Sequence, residues 1–268
     1  MGTNSNTINH LFSIEDKVAL VTGGTSGIGF MVAKAFVENG AKVYITARTA
    51  KDCEETAKTL SALGQCIGIP CDISTEAGRE TLVNGIQENE QSLDILVHNA
   101  GIAIGGELGD PFEKFPAESW DQTMNVNTRS PFILTQKLMP LLTHNATADM
   151  PAKIINMGSV AGIKVVIDDN ENRTAGSYGP SKALLHHMTK DWAAYLAHRH
   201  ILVNAIAPGP FPSRIMSNPD FQKDQASRTR LGRLGNETDM AGIALFLASR
   251  ASGYITGEVI KVDGGFTL

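Results

Sequence analysis

A chain of 268 residues with 42% hydrophobic and 19% charged side chains can bury one large core, and α/β chains of this size often form a single domain. The net charge of −5 comes without a basic block, which argues against a nucleic-acid partner. No apolar run reaches the roughly 18 residues of a membrane span, and the opening "MGTNSNTINHLFSIEDK" lacks the basic-then-apolar order of a secretory signal. Its sixth residue is Asn, where a myristoylation signal wants Ser or Thr. Cys53, Cys66 and Cys71 are odd in number and not in metal-ligand spacing, so a cytoplasmic chain with free thiols and no metal is expected.

Residues 1–13 are expected as a flexible tail and 14–268 as one domain. Seven short apolar, β-branched runs then follow in order: "KVALVT" (17–22), "KVYITA" (42–47), "QCIGIP" (65–70), "LDILVH" (93–98), "AKIINM" (152–157), "ILVNAIA" (201–207) and "EVIKV" (258–262). Helix-length segments lie between most of them. The first of these, "GIGFMVAKAFVENG", places Gly40 just past a helix end. Alternation of this kind predicts right-handed βαβ units and a doubly wound parallel sheet of about seven strands, covered on both faces. Two loops are long, 164–176 and 208–235, and long loops in a compact fold usually bind something.

The first strand runs into "TGGTSGIG", with glycines at 23, 27 and 29, and then into a helical pattern. Strand, Gly-rich turn and helix is the context that separates a nucleotide-binding turn from an ordinary one. Glycines let the backbone approach a pyrophosphate, and the helix start supplies free N–H groups and a positive dipole end. Further along, "YGPSK" puts Tyr178 four residues before Lys182, on one helix face. A cation there would lower the phenol's pKa and make it a usable proton donor near neutrality. The same pair on a solvent-facing surface would do nothing.

With "CDI" at 71–73, "HNAG" at 98–101, "NVNT" at 125–128, "NMGSVAG" at 156–162, "APGP" at 207–210 and "VDGGF" at 262–266, eight motifs stand in register. Together they make the chain resemble the short-chain dehydrogenase/reductase family over nearly all of residues 15–268. Within it the chain looks most like fungal and bacterial reductases of the 3-ketoacyl type. The "NMGSVAG…YGPSKALLH…NAIAPGPFPSRIM" block is similar to bacterial 3-oxoacyl reductases linked to rhamnolipid synthesis. The resemblance implies a three-layer Rossmann fold. It implies Tyr178 as general acid/base, Lys182 as its partner and a ribose ligand, Ser159 as donor to the substrate carbonyl, and Asn127 as support for a proton relay to the Lys. For the cofactor it implies Gly23, Thr25, Ser26, Gly27, Ile28 and Gly29 at the phosphates, Asp72 and Ile73 at the adenine, and Asn99, Ala100 and Gly101 beside the ring system. At the nicotinamide end it implies Ile206, Pro208, Gly209 and Ser213. Each has a plainer reading: Ser159 as a turn residue, Asn127 as a helix-bend residue easily confused with Asn125, the Tyr–Lys helix as mere packing on the sheet.

The end of the second strand bears on cofactor choice. Relatives that use NAD carry an acid there; here Ala47 and Arg48 follow one another, so a guanidinium is free to pair with a 2′-phosphate, and NADP(H) is expected. Thr25 and Ser26 stand where many NADP users have a second basic residue. His98 replaces a usual Asn and is expected to be a packed strand-end residue. Tyr178 follows Ser159 by more residues than in many relatives, through "KVVIDDNENRTAG". Asp168 and Asp169 are therefore substrate-loop candidates; so are Arg129, which follows the "NVNT" Asn by two where relatives often carry small residues, and Phe211 in the second long loop, against the plainer reading of a solvated acidic loop and a surface Arg.

The leading expectation is NADPH-dependent reduction of a 3-ketoacyl or secondary-metabolite ketone, in a homotetramer or homodimer. The acids at 168–171 keep open an imine reductase or ring-forming enzyme. A non-catalytic NADP(H) sensor is the third possibility, though a sensor has no use for a tuned acid.

Overall fold

The computed structural model describes residues 7–104, 112–165, 176–212 and 218–268. Its centre is a parallel sheet of seven strands: β1 (Val18–Thr22), β2 (Lys42–Ala47), β3 (Gln65–Pro70), β4 (Ile95–His98), β5 (Ala152–Met157), β6 (Ile201–Pro208) and β7 (Val259–Val262). Their spatial order is β3-β2-β1-β4-β5-β6-β7. All seven expected runs are strands. Several begin a residue or two later than the apolar pattern suggests.

Strand residues alternate between two hydrophobic clusters, because successive side chains point to opposite faces. Ala19 and Val21 join Val32 and Phe36 of α2 (Gly27–Glu38) and Met240, Ala244 and Leu247 of α9 (Glu237–Ala248). Leu20 joins Leu82 and Ile86 of α4 (Glu76–Gln87), Leu134 and Leu138 of α6 (Ser130–His144), and Trp192 and Leu196 of α7 (Tyr178–Leu196). α3 (Ala50–Ser61) follows β2, and α5 (Ala117–Met124) leads into α6. α8 (Pro219–Arg228) precedes α9. Gly40 has φ +84° just past Asn39, the C-cap of α2, where a left-handed residue ends a helix. In the segment expected as a flexible tail, Ile8–Phe12 form a short helix, α1, and Phe12 sets its ring 6.4 Å from that of Phe246 on α9.

From β1 the chain winds outward to β3 and then returns to β4 on the other side of β1, so the winding reverses between β1 and β4. Loops at the carboxyl ends of these strands diverge there and leave a crevice, which is where open α/β sheets bind ligands. Parallel register brings the ends of β1, β4, β5 and β6 to one edge: Val21 pairs with Val97, His98 with Asn156, and Met157 with Ile206. Among the described residues, no helix is long and apolar enough to cross a membrane.

Candidate active site

At the end of β1 the chain turns through Gly23 (φ +65°) and Gly27 (φ +54°), conformations that favour glycine. α2 starts at Gly27, so the first N–H groups of a twelve-residue helix face the crevice without intrahelical partners. Ser26 is its N-cap and makes no side-chain cap, and Thr25 and Ile28 flank it. Asn99, just past β4, ties the turn down. Its Nδ2 donates to the carbonyls of Thr22 (2.9 Å) and Gly23 (3.1 Å), while Thr22 Oγ1 accepts from the backbone N–H of Asn99 and Ala100. A Cβ on Gly29 would collide with Asn99 Nδ2 and the Gly23 carbonyl. The result is a bare, anchored backbone cradle at a helix start, which suits a phosphate group.

Arg48 is exposed at the end of β2. Asp72 is half-buried beyond β3, its Oδ1 accepting from Ser74 N (2.9 Å), and Ile73 is buried beside it. The Ile73 carbonyl accepts from Arg79 Nη1 and Ser130 Oγ, both at 2.8 Å, which fixes this loop to α4 and α6. Pro208 ends β6, and Gly209 donates its N–H to Val262 O (3.0 Å), with no room for a Cβ against Asp263.

The catalytic candidates come from three elements, and two of them, bearing Lys182 and Asn127, meet beside Gly101. Lys182 lies one turn after Tyr178 on α7, and its Nζ stands 5.6 Å from the Tyr178 ring centre and donates to Met157 O (2.8 Å) at the end of β5. Ser159 follows β5 and begins a short 3₁₀ turn, Val160–Gly162; Ala161 N–H donates to its Oγ (3.1 Å). With that acceptor position used, the Ser159 hydroxyl hydrogen-bonds Tyr178 in the sense that eases ionisation of the phenol. Between α5 and α6 the helix widens into a π-helical turn, Asn125–Arg129. This turn points Asn127 inward, 1% exposed. Its amide exchanges two hydrogen bonds of 2.9 Å with the Ile102 backbone and donates a third to Ser181 Oγ. A single point, the position of a Cβ on Gly101, lies 3.3 Å from Lys182 Nζ and 3.4 Å from Asn127 Oδ1. π-turns within α-helices recur at functional sites.

The electrostatics differ from the sequence expectation. Burial holds the Tyr178 phenol above its ordinary value, and the Ser159 hydroxyl only partly offsets this. Burial likewise lowers Lys182 to about 8. The helical spacing therefore does not by itself produce a depressed phenol, because burial dominates at both groups.

Other candidates fall elsewhere. Arg129 is exposed, its Nη1 3.4 Å from Asn125 Oδ1 and its charge felt by Arg79 of α4; among the described residues no hydrogen bond or ion pair joins it to Ser159 or Tyr178. Phe211 is 4% exposed and packs in the hydrophobic core against Gly235, so little of its ring is open to a substrate. Ser213, Asp168 and Asp169 lie outside the described residues, as does Glu171. Asn125 donates to Ser74 O (2.9 Å), which separates it from Asn127. His98 is buried, its Nε2 2.7 Å from Thr135 Oγ1 and its ring edge-on to Trp192. Burial pushes it down to about 3, so it is neutral. Two residues escaped the sequence reading. Ser181 links Asn127 to the Tyr178 carbonyl, donating to it at 2.7 Å. His186, 7% exposed, accepts the Ser159 N–H at its Nε2 (3.3 Å). Its spacing of four from Lys182 was the available signal.

Residues 23–267 match a family model described as enoyl-(acyl carrier protein) reductase, of the short-chain alcohol dehydrogenase type. The chain is 44% identical over 261 residues to a rhamnolipids biosynthesis 3-oxoacyl-[acyl-carrier-protein] reductase of Pseudomonas aeruginosa, covering 96% of this chain and 98% of that one. It is 33% identical to the 3-oxoacyl-[acyl-carrier-protein] reductase FabG of Thermotoga maritima, with 95% and 99% covered. Among solved structures, a Pseudomonas aeruginosa RhlG/NADP active-site complex superposes with a TM-score of 0.89 at 44% identity, covering 96% of this chain and 99% of that one.

Proposed function

The chain belongs to the short-chain dehydrogenase/reductase family of oxidoreductases, and from that premise we propose that it reduces a ketone, of the 3-oxoacyl thioester or secondary-metabolite class, to a secondary alcohol with NADPH. The observation that carries this reading is the convergence of Ser159, Tyr178, Lys182 and Asn127 at the crevice edge of the sheet, in reach of the Gly23–Gly29 cradle. The relatives' substrates and the NADP of the solved complex support it.

The cradle and the first turn of α2 would hold the cofactor phosphates, Asp72 and Ile73 would flank the adenine, and Lys182 would reach the nicotinamide ribose. When bound, the dihydronicotinamide supplies the hydrogen and the electron pair that reach the carbonyl carbon. The chain's own residues manage the oxygen. Ser159 and Tyr178 donate hydrogen bonds to it where negative charge develops, and the Tyr178 phenol gives up its proton there. A raised phenol suits this direction, since the group is fully protonated at neutral pH. Lys182 and Asn127 lie behind the phenol, where they return a proton to it.

The test is consumption of NADPH with a panel of 3-oxoacyl thioesters and simple ketones; no turnover with any of them would overturn the reading. Cofactor choice is tested separately. A forked charge-assisted contact from Arg48 to a 2′-phosphate contributes about 1.5–3 kcal/mol. Arg48→Ala should therefore weaken NADPH binding about tenfold to a hundredfold and leave NADH binding nearly unchanged. Equal native affinities for the two cofactors would refute this.

A pH dependence also follows. Lys182 sheds its proton near pH 8, whereas the raised Tyr178 phenol keeps its own well above that. For ketone reduction kcat/KM should be level below about pH 8 and fall as pH rises through it. A profile that stays flat into the alkaline range would remove Lys182 from the proton path.

A further inference from the structure

We propose that His186 is a positioning residue that holds Ser159 at its donor position, an inference that rests on the ketone-reductase reading above. Tyr178, Lys182 and His186 repeat every four residues on one face of α7, so the helix that carries the acid also carries the imidazole. Its ring sits under the turn that bears Ser159. Nε2 accepts the Ser159 N–H at 3.3 Å, and the Gly162 backbone at the turn's other end hydrogen-bonds the ring as well. The two glycines bracketing that turn are shaped to the ring. A Cβ on Gly158 would collide with Nε2, and one on Gly162 would lie 2.9 Å from Cε1. At Gly162 a Cβ would also meet the α7 backbone at Lys182 and Ala183, so the turn lies directly against the helix with the imidazole under its first residue.

The arrangement demands one protonation state. Nε2 must be bare to accept from Ser159, and the ring hydrogen must lie on Nδ1. A cationic ring would set donor against donor at Ser159 N–H. Burial opposes that cation most, and Lys182 and Lys190 on the same helix oppose it further. The ring therefore behaves as a fixed neutral bracket, with acceptor and donor set by the two ends of one turn. Ser159 Oγ and Tyr178 must both reach one carbonyl oxygen. Their separation depends on how the 159–162 turn is seated on α7, and His186 is the side chain that seats it. A catalytic group displaced by about 1 Å can cost a hundredfold in rate.

A cavity of about 430 Å³ opens beside the ring, lined by His186 itself, Gly162, Ile163, His187 and Val259 among others, so substitutions there have room to relax without unfolding the helix. The test uses His186→Phe, which keeps a ring and removes both hydrogen bonds, and His186→Gln, which keeps an acceptor and a donor. The expected result is a fall in kcat of about tenfold to a hundredfold for His186→Phe. NADPH affinity should be unchanged, and His186→Gln should recover much of the rate. In a Ser159→Ala background, His186→Phe should cost little more, because both changes remove one function. Nitrogen NMR of the native imidazole should report a neutral ring protonated at Nδ1. If Ser159→Ala lowers kcat but His186→Phe does not, or if the two losses multiply in full, the proposal fails while the reductase reading stands. A cationic or Nε2-protonated ring overturns it without reference to activity. If Ser159→Ala itself leaves ketone reduction intact, the reductase reading fails instead, and this inference with it.

Discussion

Tyr178→Phe should lose about 10²–10⁴-fold in ketone reduction, the range that a positioned proton donor supplies. The ring stays on α7, half-buried, above Lys182. Only the hydroxyl goes, and with it both the proton and one of two donors to the carbonyl oxygen. NADPH affinity should change little, since the cradle at Gly23–Gly29 and Lys182 Nζ are untouched. Thermal stability should also hold, because the lost hydroxyl was itself paid for in desolvation. A variant that keeps half the native rate would show that another acid serves. Ser159 would then be the first suspect, as the hydroxyl bonded to the phenol.

The second large effect belongs to Gly29. An alanine there puts a methyl group into Asn99 Nδ2 and the Gly23 carbonyl, both backbone-tethered and without a path of retreat. Either Asn99 swings out, giving up its bonds to Thr22 and Gly23, or α2 moves away from the turn. Overpacking of this kind costs about 1–3 kcal/mol, which for a chain of this size lowers Tm by about 2–5 °C. The cofactor should suffer more than the fold. Both relaxations spread the cradle, so NADPH affinity should fall by at least an order of magnitude. Wild-type NADPH affinity in a folded Gly29→Ala chain would show that the turn does not hold the phosphates.

The sheet was legible in the sequence because strands buried on both faces are almost wholly apolar, and "KVYITA" or "AKIINM" leave little room for another reading. The motif residues were legible because their neighbours in space, such as Gly29 and Asn99, are each demanded by the other's geometry. Where the reading went astray, the deciding contacts were long-range. Arg129 follows Asn127 by two, and a regular helix already turns such neighbours apart; the π-turn then fixed which faced the site. Phe211 stands in a loop, the usual place for a substrate contact, yet Gly235, 24 positions later, makes room for it in the core. The Tyr178 phenol was misjudged because desolvation comes from the whole surroundings, and i+4 spacing records only one neighbour. The deepest gap was His186, whose meaning lies in the bare backbone of Gly158 and Gly162 opposite it.

The widened turn at Asn125–Arg129 has a consequence for how sequences like this one change over time. An α-helix rotates about 100° per residue, so a residue inserted into its regular turns between Ala117 and His144 would swing every later side chain to a new face. Leu134 and Leu138 would leave the core. The wide turn already houses a surplus residue, and the strands and helices on either side keep their registers because it does. A one-residue deletion within the turn would close it into ordinary helix: the registers on either side would survive, with Leu134 and Leu138 still buried, but Asn127 would be withdrawn from Ile102. A change of length here would thus be felt first at the site and only then in the core.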